Sequence, residues 1–139
     1  MLDMEKSQII KNVAAILDER SDVIFGYIHG STQNSDNPRD IDVAVFIDPG
    51  LHEKLAAKGE INMGFAIPLE MELERRIGKK VDVQILNDAP LGFQYRVINC
   101  GTVVTDKDSN IRADFECLTR VKYYDFQPRV EEYLREIIT

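Results

Sequence analysis

Apolar residues along this chain recur in two periods, one helical and one extended, and the changes between them mark the elements. Ile9, Ile10, Val13, Ile16 and Leu17 fall on one face at helical spacing, which predicts a helix over residues 3–20 with Asp3 as its N-cap. Ser21 and Asp22 end it. Val23 to Ile28 is a continuous apolar run and predicts a first strand, delivering Gly30 and Ser31 at its end. A polar loop from Gln33 to Arg39 follows, rich in Asn, Ser, Asp and Pro. Val43 to Ile47 is β-branched and aromatic and predicts a second strand, opened by Asp40 and Asp42. Asp48-Pro49-Gly50 predicts a turn that closes it.

The spacing then predicts a short helix over Leu51 to Lys58, stopped near Gly59. A longer helix runs to about Ile77, with Phe65, Ile67, Leu69, Leu73 and Ile77 apolar and Pro68 in its interior or first turn. Gly78 is its stop. Strict alternation over Val81-Asp82-Val83-Gln84-Ile85-Leu86 predicts a third strand. Leu91 to Asn99 reads as a helix before Gly101, and Thr102 to Thr105 as a short strand. Residues 109–124 predict a further helix, with Ile111, Phe115, Leu118 and Val121 on one side; Asp125-Phe126-Gln127-Pro128 interrupts it. Pro128 starts a last helix to Ile138. This order predicts an α+β (α/β) layered fold, with one small mixed sheet of about four strands packed against helices.

Composition narrows the class. A chain of 139 residues is expected to be a single domain with a real core, and 44% hydrophobic with 29% charged residues is ordinary for a globular protein. No apolar run approaches the roughly 20 residues of a membrane span. The first residues, M-L-D-M-E-K-S, carry acids and no signal-peptide core, so a cytoplasmic location is expected, with Cys100 and Cys117 as reduced thiols. The formal net charge of −7 argues against direct nucleic-acid binding, which needs a basic surface.

The candidate chemistry sits between Tyr27 and Ile47. Asp40 and Asp42 are two apart on a strand, so their side chains project from one face. Two adjacent carboxylates repel, and a divalent cation such as Mg²⁺ removes that cost. Gly30 lets the backbone turn closely, and neighbouring N–H groups with the Ser31 hydroxyl can hold phosphate oxygens. Asp82, on the third strand, can join the pair from a neighbouring strand. Three converging carboxylates suit two divalent metals in phosphoryl transfer. His29 beside Gly30 is more often a structural residue at a strand end than a catalytic one. His52 reads as a solvated loop residue, and Glu70 to Glu74 as a solvated helix face. Lys79 and Lys80 read as ordinary cations after a helix C-terminus. Tyr123, Tyr124 and Tyr133 read as core or partner-interface residues.

The sequence H-G-S, eight residues, D-I-D, and a later V-D-V on a strand resembles the polymerase-beta-like nucleotidyltransferase superfamily. The small size resembles the minimal nucleotidyltransferases (MNT). The segment Y-Y-D-F-Q-P-R-V-E-E-Y-L from Tyr123 resembles the tail of MNT antitoxins that pair with HEPN-domain toxins. The resemblance implies that Gly30 and Ser31 bind the β- and γ-phosphates of a nucleoside triphosphate. It implies that Asp40, Asp42 and Asp82 are the catalytic and metal-binding carboxylates, with two Mg²⁺ ions and ATP as substrate. It further implies AMP transfer to a tyrosine hydroxyl of a HEPN toxin, silencing its RNase activity. Many MNT members carry a basic residue three after the Ser, where this chain has Asn34, and Ser before the first Asp, where it has Arg39. Arg39 is therefore a candidate phosphate contact. The alternative is a non-catalytic antitoxin that neutralises a HEPN RNase by complex formation. Transfer to a small molecule such as an aminoglycoside is disfavoured by the short chain. Acceptor, base preference and any homo-oligomer are left open.

Overall fold

The computed structural model describes residues 6–30, 32 and 38–138. The expected N-cap Asp3, Ser31 and Asn34 lie outside them. The elements in chain order are α1 (Lys6–Asp18), β1 (Val23–His29), β2 (Asp40–Ile47) and α2 (Pro49–Ala57). A π-helical turn (Asn62–Ala66) leads into α3 (Ile67–Ile77). Then come β3 (Lys80–Ile85), α4 (Leu91–Cys100), β4 (Thr102–Asp106) and α5 (Ser109–Ile138).

The strands form one sheet in the order β3-β2-β1-β4. β1 pairs antiparallel with β2 and with β4, while β2 and β3 run parallel. A parallel neighbour requires a crossover connection, and α2, the π-helical turn and α3 supply it. The sheet is thus mixed, four-stranded and packed against helices, as the periodicity predicts.

Side-chain alternation gives the sheet two faces. Ile28, Ile41, Val43, Val45, Val81 and Val83 pack against Ile9, Val13, Leu17, Leu69 and Leu73 of α1 and α3 in the larger core. The other face carries Phe25, Tyr27 and Ala44, covered by Val97 and Ile98 of α4, with Phe46, Phe93 and Phe115 packed alongside. Phe25 stacks on Phe46 at 4.8 Å between ring centroids. The second face ends in polar residues where β1 and β2 approach the loop that joins them. That end holds the candidate site.

Four local expectations change. Asp48-Pro49 does not close a turn; it opens α2, with the Leu51 N–H donating to Asp48 Oδ2 at 3.1 Å and Pro49 in the first turn. A carboxylate N-cap followed by a pre-set proline φ favours a helix start over a simple turn. Second, the interruption expected at residues 125–128 is absent: α5 runs unbroken from Ser109 to Ile138 with Pro128 inside it. Phe126, Tyr133, Leu134 and Ile137 are about half exposed or more. On such a solvated helix the carbonyl freed by proline can turn to water, which lowers the cost of the missing N–H. Third, α5 packs through Phe115 and buried Thr119, while Leu118 and Val121 are exposed. Tyr123 stacks on Tyr95 of α4, whereas Tyr124 and Tyr133 are exposed. Fourth, His52 lies on α2 with its ring largely covered, Nε2 3.4 Å from Asp88 Oδ1.

The acidic run of α3 is no idle solvated face. β3 is an edge strand, and edge N–H groups need partners. The Val81 N–H donates to Glu74 Oε1 at 3.1 Å and the Val83 N–H to Glu70 Oε1 at 2.9 Å. The backbone on both sides of Asp82 is thereby fixed to α3. Glu72 pairs with Arg20. No helix among the described residues is long and apolar enough to cross a membrane.

Candidate functional site

The site begins with Gly30. It follows β1 with φ of +64°, a left-handed conformation that costs a side-chain-bearing residue. Space argues the same way, since a Cβ there would lie 2.8 Å from Asp42 Oδ2. Gly30 and the Asp42 carboxylate therefore meet without an intervening side chain.

Thr32, completely buried, holds the far side of this turn. Its Oγ1 accepts the Asp42 N–H at 2.8 Å and its hydroxyl donates to the Asp40 carbonyl at 3.4 Å. One hydroxyl thus ties the loop to the backbone of both candidate carboxylates. Nothing in the periodicity singled out Thr32. Thr32→Val keeps the shape and removes the hydroxyl, leaving a buried N–H unpaired. It should cost about 1–3 kcal/mol of stability, read as a lowered urea midpoint. An unchanged midpoint would show that the tie carries no stability.

Asp40 and Asp42 lie on β2 and share a sheet face. Asp82 of β3 is the register partner of Asp42, and His29 of β1 is the partner on the other side. The register therefore lines up His29, Asp42 and Asp82 across three strands. Asp40 and Asp82 are exposed and Asp42 is half-buried. Lys80 is the register partner of Asp40, which puts it beside the acids. Arg39, the candidate phosphate contact, is exposed immediately before Asp40.

A cavity of about 410 Å³ opens beside these residues, lined by His29, Gly30, Asp42, Phe93, Arg96, Val97 and Cys100. The last four occupy positions i, i+3, i+4 and i+7 of α4, which is one helical face. That spacing is visible in the sequence and could have nominated Arg96. The His29 ring meets Phe93 edge-on at 5.4 Å, and its buried Nε2 has no hydrogen-bond partner among the described residues. Burial lowers the His29 pKa; Asp42 and Asp82 oppose the shift and Arg96 adds to it. The ring is accordingly neutral near pH 7.

The carboxylate oxygens are the donor type that Mg²⁺ prefers. Among the described residues no three acidic, histidine or cysteine side chains are gathered into a ready-made metal cluster. Asp82 Oδ2 instead accepts Gln84 Nε2 at 2.9 Å. Mg²⁺ usually keeps several waters and takes one or two carboxylates plus substrate phosphates. An adjacent acidic pair on one strand suits that mode.

A family model described as "Polymerase beta, Nucleotidyltransferase" matches residues 11–110. The chain belongs to this nucleotidyltransferase family. The match spans β1 to β4 and so contains Gly30, Asp40, Asp42 and Asp82. No curated protein matches the chain.

Among solved structures, this nucleotidyltransferase is similar to a chain of the toxin–antitoxin MntA–HepT crystal structure. The TM-score is 0.63 at 17% identity, covering 95% of this chain and 99% of that one. A chain from a tri-AMPylated Shewanella oneidensis HEPN toxin in complex with MNT antitoxin gives 0.64 at 18% identity, covering 95% and 98%. A toxin–antitoxin structure with AMP-PNP gives 0.64 at 18%, covering 98% and 100%. At such identities the likeness is one of fold, and in fold the chain resembles the MNT antitoxins.

Proposed function

We propose that this chain is a Mg²⁺-dependent nucleotidyltransferase that moves AMP from ATP to a tyrosine hydroxyl of a HEPN toxin, acting as its antitoxin. The observation that carries the reading is the register of Asp42 with Asp82 beside the close approach of Gly30 to Asp42. A backbone turn that admits phosphate next to carboxylates on one sheet face is the arrangement such a transfer needs. The similar folds come from toxin–antitoxin complexes, one with an AMPylated toxin and one with AMP-PNP. The exposed apolar residues Phe126, Tyr133, Leu134 and Ile137 of α5 are consistent with a protein partner. We read residues 1–139 as a single minimal nucleotidyltransferase domain.

In this reading Asp40 and Asp42 hold the metal and Asp82 completes the set from β3. Bound Mg²⁺ supplies positive charge to the phosphates and the reacting oxygens. Gly30, with Ser31, keeps the backbone close to the phosphate tail. Thr32 fixes the β2 entrance so that Asp40 and Asp42 keep their relative positions. Glu70 and Glu74 do the same for Asp82 through the flanking N–H groups. Phe93 and Val97 exclude water from one wall of the cavity. Catalysis then rests mainly on positioning and charge.

The test uses the purified chain, its HEPN partner, ATP labelled at the α-phosphate, and Mg²⁺. Label should appear on a toxin tyrosine, located by mass spectrometry, and the partner's RNase activity should fall with it. If the partner is silenced equally well without ATP, the protein neutralises by contact and the transfer reading is wrong.

A further inference from the structure

Several arginines of this fold are neutralised by neighbours. Arg20 pairs with Asp22 and Glu72, Arg76 with Glu19 and Glu72, and Arg112 with Asp106 and Glu116. Arg96 is not: no carboxylate among the described residues forms an ion pair with it. It nevertheless faces the cavity shared with His29, Gly30 and Asp42. Of the described residues lining that cavity, it alone carries a fixed positive charge. The segment S-T-Q-N-S-D-N-P, residues 31–38, contains no lysine or arginine.

The cavity therefore has an acid on one wall and a guanidinium on the opposite, helical wall. That polarity suits a strongly anionic ligand that brings its own cation: the metal end belongs beside Asp42, the uncompensated anionic end beside Arg96. A guanidinium offers a planar fork of donors that matches phosphate oxygens. The position on α4 is also firm, since Val97, the next residue, is buried in the second core.

We propose that Arg96 binds the β- and γ-phosphates of the nucleoside triphosphate, from α4 and across the cavity from Gly30. The inference rests on the nucleotidyltransferase reading and gives its phosphate tail a second anchor. Arg39 and Lys80 are the rival cations. Both lie at the open start of β2 and β3, and neither lines this cavity.

The experiment is calorimetric binding to the full chain in Mg²⁺, with AMP-PNP, inorganic triphosphate and AMP as probes. Arg96→Gln should weaken AMP-PNP and triphosphate about tenfold or more and leave AMP within about twofold, as expected for loss of a charged hydrogen bond to the tail. Arg96→Lys should recover part of the loss. Lys80→Gln should stay within about threefold of the unaltered protein. Arg96 is solvent-exposed, and a thermal melt will verify that the variants are folded. Unaltered triphosphate affinity in Arg96→Gln, or an equal loss for AMP, overturns the proposal. So does a loss that appears only in Arg39→Gln or Lys80→Gln. If the unaltered protein binds no triphosphate at all, the nucleotidyltransferase reading falls with it. Normal binding that ignores Arg96 overturns this inference alone.

Discussion

Replacing Asp42 by Asn should lower AMP transfer by about 1,000-fold or more while the protein stays folded, a loss comparable to deleting a key electrostatic stabiliser in other active sites. The substitution is nearly isosteric, so the contact with Gly30 and the Asp42 N–H bond to Thr32 can both persist. The negative charge does not. Asp42 is the most enclosed of the three acids, lies opposite Asp82 in register, and is the one that lines the cavity. An amide there can neither balance a divalent cation nor hold it against phosphate. The measurement is the initial rate of label transfer to the toxin, beside a thermal melt. A rate within tenfold of the unaltered protein, with the fold intact, would remove Asp42 from the machinery and with it the proposed mechanism. Asp82→Asn is the informative companion. Its carboxylate is exposed and already hydrogen-bonded to Gln84, so a smaller loss there would rank the two acids.

The same acids show how far the sequence reaches. D-I-D opening a β-branched run already places Asp40 and Asp42 on one face, because strand period leaves no other choice. V-D-V places Asp82 on a strand. What local pattern cannot supply is the register that puts Asp82 opposite Asp42, since parallel pairing depends on where α3 ends and β3 begins. The elements themselves were legible where the period was strong, as in α1 and the four strands. The reading failed where one local signal had two physical outcomes. Asp48-Pro49 serves a turn or a helix start, and the packing of α2 decides. Pro128 breaks a buried helix but is tolerated in a solvated one. Thr32 and the capping role of Glu70 and Glu74 escaped for a related reason. Each acts on a residue distant in the chain, through contacts that only the folded sheet creates.

Gly30→Ala should reduce transfer by about 100-fold, the cost that a displacement of roughly 1 Å at a reacting centre can carry. Two separate strains act at this position. The backbone φ of +64° disfavours any Cβ, which costs about 1–2 kcal/mol. The added methyl would also stand 2.8 Å from Asp42 Oδ2, closer than nonbonded carbon and oxygen tolerate. The Asp42 carboxylate cannot remain where it is, yet its backbone is fixed by Thr32 on one side and by β1 and β3 on the other. Either the carboxylate rotates away or the turn after β1 opens, and both separate phosphate cradle from acid. A melt should therefore fall modestly while activity falls steeply. That disproportion distinguishes the argument from simple destabilisation, in which the active fraction would follow the folded fraction. Gly78→Ala provides the control, since Gly78 has a φ of +81° but nothing within 4 Å of its would-be Cβ. It should lose stability by a similar amount and keep its transfer rate. If Gly30→Ala behaves like Gly78→Ala, the close approach to Asp42 has no role in the chemistry.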